Sequence, residues 1–327
     1  MPDIKGELET VKRLTGIYDE SRIEINEVGW TSRAYIIDGG KIVFKFPRNE
    51  RFRDECKREA AALELLKEQK FCVNVPILNW TAEDNSYFGF YGVLGTPLRE
   101  VIDSLSDEQK TEIGKIIGQF LRQLHGTKVY SDKTPQRNLN YVGGGETHDS
   151  MPHTTPEYDS NVIKAQTLEE QALEYRNWYS KGRESLASLF RESELLEIDE
   201  FFAHDVPACM VGTGELVFCH GDLDYNNTLI HNETEVGVID FGDAGLYDRS
   251  QDFRGMDDEI LLESMMKAYG DDEVISKSAS AATSKMIDVL NLIYCIENNL
   301  TNGVDSIESC SKRVRLKLLK DDCSALS

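Results

Sequence analysis

The chain has 327 residues, 40% of them hydrophobic, and a formal net charge of −22 from 58 acidic against 36 basic side chains. That length can bury a large core and exceeds the usual single-domain size, and so acidic a balance argues against nucleic acid or anionic membranes as partners, since their phosphates need a basic face. No apolar run approaches membrane-spanning length, the opening MPDIKGELETVKRL is too charged for a secretory leader, and seven cysteines without a C-x-x-C read as scattered reduced thiols of a cytoplasmic protein.

In chain order, Val28 to Tyr35 (VGWTSRAY) bring Gly29 and Ser32 just ahead of a strand, Ile42–Pro47, whose apolar run contains one charge, Lys45. A lysine so placed is costly to bury unless it meets an anion. Residues 50–69, rich in Glu, Ala, Leu and Lys without Gly or Pro, predict a helix. On it Glu55 and Glu59 lie one turn apart on a face continued by Ala62 and Leu66. Phe88 to Gly95 reads as a strand running into a hinge around Tyr91, Gly92 and Val93. Ser106 opens the next helix through a capping box with Gln109. Its apolar stripe, Ile113, Ile116, Ile117, Phe120, Leu121 and Leu124, ends at Gly126. Residues 127–160 are polar, with Gly143-Gly144-Gly145 and three prolines, and predict an exposed loop bordering the substrate cleft. Helices are expected over 167–204 and again over 254–320.

Between those helical stretches lies the most informative segment. Residues 220 to 242 read HGDLDYNNTLIHNETEVGVIDFG. Asn227 follows Asp222 by five residues, and Asp240-Phe241-Gly242 begins thirteen residues after Asn227, the order and spacing of a kinase catalytic loop and its metal-binding aspartate. Phosphoryl transfer needs a carboxylate for the acceptor hydroxyl and oxygen ligands for magnesium against the triphosphate. Asp222 suits the first role, Asn227 and Asp240 the second, and His220 an architectural one. The flanking apolar runs 216–219, 228–230 and 236–239 predict strands, the last two forming a hairpin that brings Asn227 and Asp240 to one side. In this pattern Lys45 takes the α- and β-phosphates, with Glu59, or in reserve Glu55, as its ion-pair partner. Gly29 and Ser32 line the phosphates, and the backbone at Tyr91 and Val93 meets the purine of ATP or GTP. The division that follows is a nucleotide-binding lobe over 1–95 and a catalytic and substrate-binding lobe over 96–327.

These segments, FKFPR, REAALELL, GTPL, FLRQLHG, HGDLDYNN and GVIDFGDAG with DRSQDF beyond it, resemble the aminoglycoside phosphotransferases from about Gly29 to Phe253. The FKFPR and GVIDFGDA wording is most similar to the enzymes acting on the 2″-hydroxyl. HGDL and IDFG alone mark only the broader group that includes macrolide, choline and homoserine kinases. The resemblance implies an α+β, two-lobed protein-kinase-like fold, and Mg2+-dependent transfer from ATP or GTP to a cationic aminoglycoside. Two features depart from the family pattern: Tyr225-Asn226 stands where a Pro-Gly-type pair is frequent, and residues 131–160 match nothing in it. Acid is concentrated after the catalytic motif, with fifteen Asp or Glu against three Lys or Arg over 220–273. Such a face attracts a polycation, and Asp257, Asp258 and Glu259 are the expected acceptor contacts. Other small alcohols, or a non-catalytic nucleotide-binding module, are the alternative readings. A protein kinase is disfavoured because no A-P-E follows Asp240.

Overall fold

The structure is a computed structural model, and it describes residues 3–27, 31–128, 167–211, 214–232, 235–270, 277–301 and 306–319. Gly29 and nearly all of the loop expected over 127–160 lie outside these residues. The chain divides into two compact units. The first comprises Met1–Arg137, Val217–Leu246 and Gly255–Asp271, and the second Asn138–Leu216, Tyr247–Arg254 and Asp272–Ser327. Residues 1–95, the lobe proposed from the sequence, lie wholly in the first.

The first unit opens with helix α1 (Ile4–Thr15), then strands β1 (Ile23–Asn26), β2 (Ser32–Ile37) and β3 (Ile42–Pro47). Helix α2 (Arg53–Leu66) and strands β4 (Ile77–Thr81) and β5 (Phe88–Tyr91) follow. The five strands form one antiparallel sheet in the order β1-β2-β3-β5-β4. Alternation along β3 decides which side each residue serves. Phe44 and Phe46 join Tyr35, Ile37 and Val11 in a core under α1. Lys45, between them, therefore points to the opposite face, where α2 carries Glu59. Helix α2 buries Cys56, Glu59, Ala62, Leu63 and Leu66, the 3–4 spacing of a helix seated on a sheet.

The same unit continues through β6 (Thr96–Pro97), α3 (Leu98–Val101) and α4 (Asp107–His125), and later β7 (Val217–Cys219), β8 (Thr228–His231), β9 (Glu235–Val238) and α8 (Glu259–Tyr269). The capping box at Ser106 and Gln109 forms as expected, and the buried stripe runs Ile113, Ile117, Phe120, Leu121, Leu124. β8 and β9 make the predicted hairpin, pairing Thr228 with Val238 and His231 with Glu235, and β6 adds to its free edge. Helices α4 and α8 touch backbone to backbone. A Cβ on Gly114 would lie 2.4 Å from Leu261 O, and one on Gly118 2.2 Å from Met265 O. Small residues one turn apart permit this approach and fix α8 against α4.

The second unit is helical. It holds α5 (Leu168–Leu186), then α6 (Glu192–Glu200), which continues through a π turn at Phe201–Asp205 into α7 (Val206–Val211), and α9 (Lys277–Glu297) and α10 (Ile307–Lys317). Its core is built from Tyr175, Tyr179, Phe202, Met286, Leu290 and Ile293 among others, with Tyr179 stacked on Phe202 at 4.2 Å. No helix among the described residues is long and apolar enough to cross a membrane.

Candidate functional site

The loop between β7 and β8 is shaped by its own polar groups. His220 is fully buried; its Nε2 donates to Ile239 O at 2.9 Å, and its Nδ1 accepts from Asp222 N at 3.2 Å. That pairing sets the tautomer and ties the start of the loop to the end of β9. Its ring also lies 4.6 Å from Phe241. Gly221 has φ +86°, and a Cβ there would sit 2.1 Å from Asp243 O. Both the left-handed backbone and the contact require glycine. Gly221→Ala is therefore expected to destabilise the protein by at least about 1–2 kcal/mol from its backbone conformation alone. Thermal unfolding will read this as a lowered melting temperature, and an unchanged one would mean that the loop relaxes freely.

Asp222 and Asn227 face one another across this loop. Asn227 Nδ2 donates to Asp222 O at 2.8 Å and to Asp222 Oδ2 at 3.4 Å. Both partners can only accept, so the amide nitrogen is the atom turned to Asp222 and the amide oxygen lies on the other side. Ile239 N donates to Asn227 O at 3.0 Å. This backbone bond holds Asn227 beside the residue that precedes Asp240, although the two lie thirteen positions apart in the sequence. Asp240 has φ +66° and ψ +69°, a left-handed conformation that Asp tolerates better than most residues. Strained backbone of this kind is over-determined by its surroundings and clusters at functional sites.

Across from the hairpin, Lys45 joins the two halves of the site. Its Nζ donates to Glu59 Oε1 and Oε2 at 2.7 and 2.8 Å, and to Asp240 Oδ1 at 2.9 Å. Burial disfavours the ammonium, yet the Asp240 and Glu59 charges outweigh it and hold Lys45 above its ordinary pKa. The same ammonium keeps Asp240 below the usual carboxylate range. Glu59 sits deeper, and burial, with Asp240 adding to it, pushes its carboxyl up to about 7 against the pull of Lys45. Asp240 keeps a half-exposed side chain while that of Glu59 is 8% exposed. One carboxylate thus opens to solvent, and the other serves the lysine.

The remaining residues singled out from the sequence are placed as follows. Ser32 is buried at the start of β2, paired with Pro47. Tyr91 ends β5, exposed, its ring 5.3 Å from that of Trp80. Val93 packs on Gly237 of β9, where a Cβ would lie 2.3 Å from Val93 Cγ1. Gly92 N already donates to Lys41 O at 3.0 Å, so that hinge residue does not offer its N–H. Asp257 and Glu259 are exposed. Asp258 is committed elsewhere: its Oδ1 accepts from Leu261 N at 3.0 Å as the cap of α8, and its Oδ2 pairs with Lys110 at 2.8 Å. Burial opposes its ionisation, but the Lys110 and helix N–H contacts hold it below the usual range.

The sequence reading did not single out Asp224, whose Oδ1 accepts from Asn226 N at 2.8 Å and Asn227 N at 3.0 Å and shapes the second half of the loop. It noted Tyr225 only as a departure from a family pattern. The Tyr225 hydroxyl accepts from Asp257 N at 3.0 Å and Asp258 N at 2.7 Å. The D-x-N-N spacing is a local turn signal that could have revealed Asp224; nothing local announces the Tyr225 contact.

The model of the phosphotransferase enzyme family matches residues 22–256. An aminoglycoside 3′-phosphotransferase of Niallia circulans is 42% identical over 60 residues, a stretch covering 18% of this chain and 21% of that relative. Among solved structures, the gentamicin complex of APH(2″)-IIa is 16% identical, with 98% of each chain covered and a TM-score of 0.68. The GDP complex of aminoglycoside 2′-phosphotransferase-IIIa is 17% identical, with 97% of this chain and 98% of that one covered, at 0.72. Macrolide 2′-phosphotransferase MphH from Brachybacterium faecium is 15% identical, covering 98% of this chain and all of that one, at 0.63. These likenesses show the α+β, protein-kinase-like fold expected from the sequence. With a family match spanning most of its length, the chain belongs to the phosphotransferase enzyme family.

Proposed function

We propose that this chain is a small-molecule kinase that moves the γ-phosphoryl group of ATP or GTP to a hydroxyl of a cationic aminoglycoside, at the 2″ position. The observation that carries the reading is Lys45 bonded at once to Glu59 and Asp240, across from the Asp222–Asn227 loop. In this reading Asp222 orients the acceptor hydroxyl and accepts its proton. Lys45 holds the α- and β-phosphates, and Glu59 holds Lys45. Residues 1–95 form the nucleotide lobe and 96–327 the catalytic and substrate lobe. The backbone of Tyr91 and Val93 meets the purine, and Gly29 and Ser32 line the phosphates. The acceptor's ammonium groups pair with Asp257 and Glu259, the exposed members of the acidic turn, while Asp258 orients the helix behind them.

The donor set suits magnesium, which takes one or two carboxylates and completes its shell with phosphates and water. Asn227 supplies a neutral amide oxygen and Asp240 a half-exposed carboxylate. When bound, the ion would neutralise charge on the phosphates. Most of the remaining catalysis is positioning by residues held before substrate arrives. The acceptor class draws on the acidic face and on relatives described with gentamicin, kanamycin and streptomycin; the donor draws on relatives described with GDP, ADP and ATP. A nucleotide substrate also fits the cytoplasmic setting expected from the sequence.

The test is nucleotide consumption by purified protein with kanamycin, gentamicin, erythromycin, choline and no acceptor. Each is run with ATP and with GTP, with and without magnesium, and with Asp222→Asn as the blank. Magnesium-dependent turnover stimulated by the aminoglycosides is expected. Stimulation by erythromycin or choline alone would move the acceptor to another small alcohol, and no stimulation at all would leave only the family assignment.

The Glu59 carboxyl adds a pH dependence. Protonated Glu59 no longer holds Lys45 in place, so kcat/KM for the nucleotide is expected to fall with acid below about pH 7. Glu59→Gln should lower kcat/KM and remove that limb. A pH profile with the same limb in the variant would assign it to another group.

A further inference from the structure

Tyr225 lies inside the catalytic loop, between Asp222 and Asn227, but its side chain leaves the loop and is only 3% exposed. Its carbonyl accepts from Arg99 N at 3.0 Å, and the Arg99 guanidinium sits 5.1 Å from its ring centre. The hydroxyl oxygen accepts two backbone N–H groups, those of Asp257 and Asp258. Accepting both, the hydroxyl is tied to the backbone of the first two residues of the acidic turn.

The same short segment meets the loop a second time. Asp224 and Gly255 form a parallel backbone bridge, and a Cβ on Gly255 would lie 2.2 Å from Leu223 O. Beyond it, α8 is fixed to α4 through Lys110 on Asp258 and through Ser264 Oγ, which donates to Thr111 O at 2.6 Å. The acidic turn is therefore held from below by α4 and from the side by the catalytic loop, and Tyr225 supplies the side-chain part of the second hold.

We propose that Tyr225 is a positioning residue for the acceptor: by accepting the Asp257 and Asp258 N–H groups its hydroxyl fixes the backbone of the acidic turn, and with it the place from which Asp257 projects, relative to the loop of Asp222, so that a cationic alcohol bound at one presents its hydroxyl to the other. This rests on the acceptor reading above and adds the residue that couples its two ends. It makes the acceptor-binding turn and the proton-accepting loop one rigid piece, without the tyrosine touching either the acceptor or the nucleotide.

The experiment compares wild type, Tyr225→Phe, Asp257→Asn and the double variant of the full chain, measuring kcat and separate KM values for nucleotide and for the aminoglycoside the wild type uses best. Phenylalanine keeps the ring under Arg99 and removes only the hydroxyl. Losing the two hydrogen bonds that hold the turn bearing Asp257 is expected to raise the acceptor KM about tenfold in Tyr225→Phe, with the nucleotide KM unchanged. In the Asp257→Asn background the tyrosine change should add nothing, because the group it positions is already gone. An unchanged acceptor KM, an additive double variant, or a parallel loss of kcat and melting temperature with both KM values unmoved would each overturn the inference. A wild type that turns over no cationic alcohol overturns the acceptor reading itself in the first arm, so the two failures are told apart.

Discussion

Asp222→Asn is expected to lower turnover by about 10²–10⁴-fold, the range a positioned general base contributes, while nucleotide affinity stays at the wild-type level. The substitution is close to isosteric, and the bond that shapes the loop survives it, because Asn227 Nδ2 donates its shorter bond to the Asp222 backbone carbonyl rather than to the carboxylate. His220 likewise accepts from the Asp222 backbone N–H, which the change leaves in place. What is lost is the negative charge and the capacity to take a proton. Lys45, the group proposed to hold the phosphates, makes its bonds to Glu59 and Asp240, which the substitution leaves in place. Single-turnover kinetics paired with a nucleotide-binding titration separates the two effects. Turnover near the wild-type level would remove Asp222 from the mechanism, and a matching fall in nucleotide affinity would show that the loop had collapsed.

The parts of the site that sequence could reveal are those written in local spacing. Asp222, Asn227 and Asp240 stand at fixed intervals on a loop and hairpin whose strands announce themselves as apolar runs. Lys45 is visible as the lone charge in such a run, and the alternation that buries Phe44 and Phe46 under α1 sends it to the other face. The choice of Glu59 over Glu55 was settled by depth: both lie on one helical face, but Glu59 shares the buried stripe with Ala62 and Leu66 and meets the lysine. The acidic turn shows the opposite case. Asp258 stands two positions before the apolar run Ile260-Leu261-Leu262, the ordinary place for an N-cap, so its capping role was open to a local reading that charge density obscured. The Tyr225 contact was not open to one. It joins residues 32 and 33 positions apart, and periodicities of 2 or 3.6 say nothing about which loops meet.

Lys45→Met is expected to reduce kcat/KM for the nucleotide by about 10²–10³-fold, as for the loss of one preorganised donor at a site of developing charge. Its stability effect should be small near neutrality and grow with pH. Removing one partner of a buried ion pair usually costs about 3–5 kcal/mol, because the other charge is left buried and unpaired. Here the partner can escape by taking up a proton. The Glu59 carboxyl already stands near 7 with the ammonium beside it, and without Lys45 its folded-state value rises further. A carboxyl whose folded pKa lies above its unfolded one makes the native state bind the extra proton, so stability falls as pH rises through the interval between the two. The slope there is about 1.4 kcal/mol per pH unit for one proton. In wild type that interval closes near pH 7; in Lys45→Met it extends upward, so the stability difference between them should widen from pH 7 to pH 9. Asp240 adds little to this, since its half-exposed side chain can be hydrated in place. Denaturant titrations across that range, run beside Lys45→Met/Glu59→Gln, decide the matter. The double variant has no carboxyl at position 59 to titrate and should lose the extra pH dependence. A Lys45→Met penalty that is constant from pH 7 to pH 9 would mean that Glu59 stays ionised without its lysine, and that some other group carries the acid limb of the activity profile.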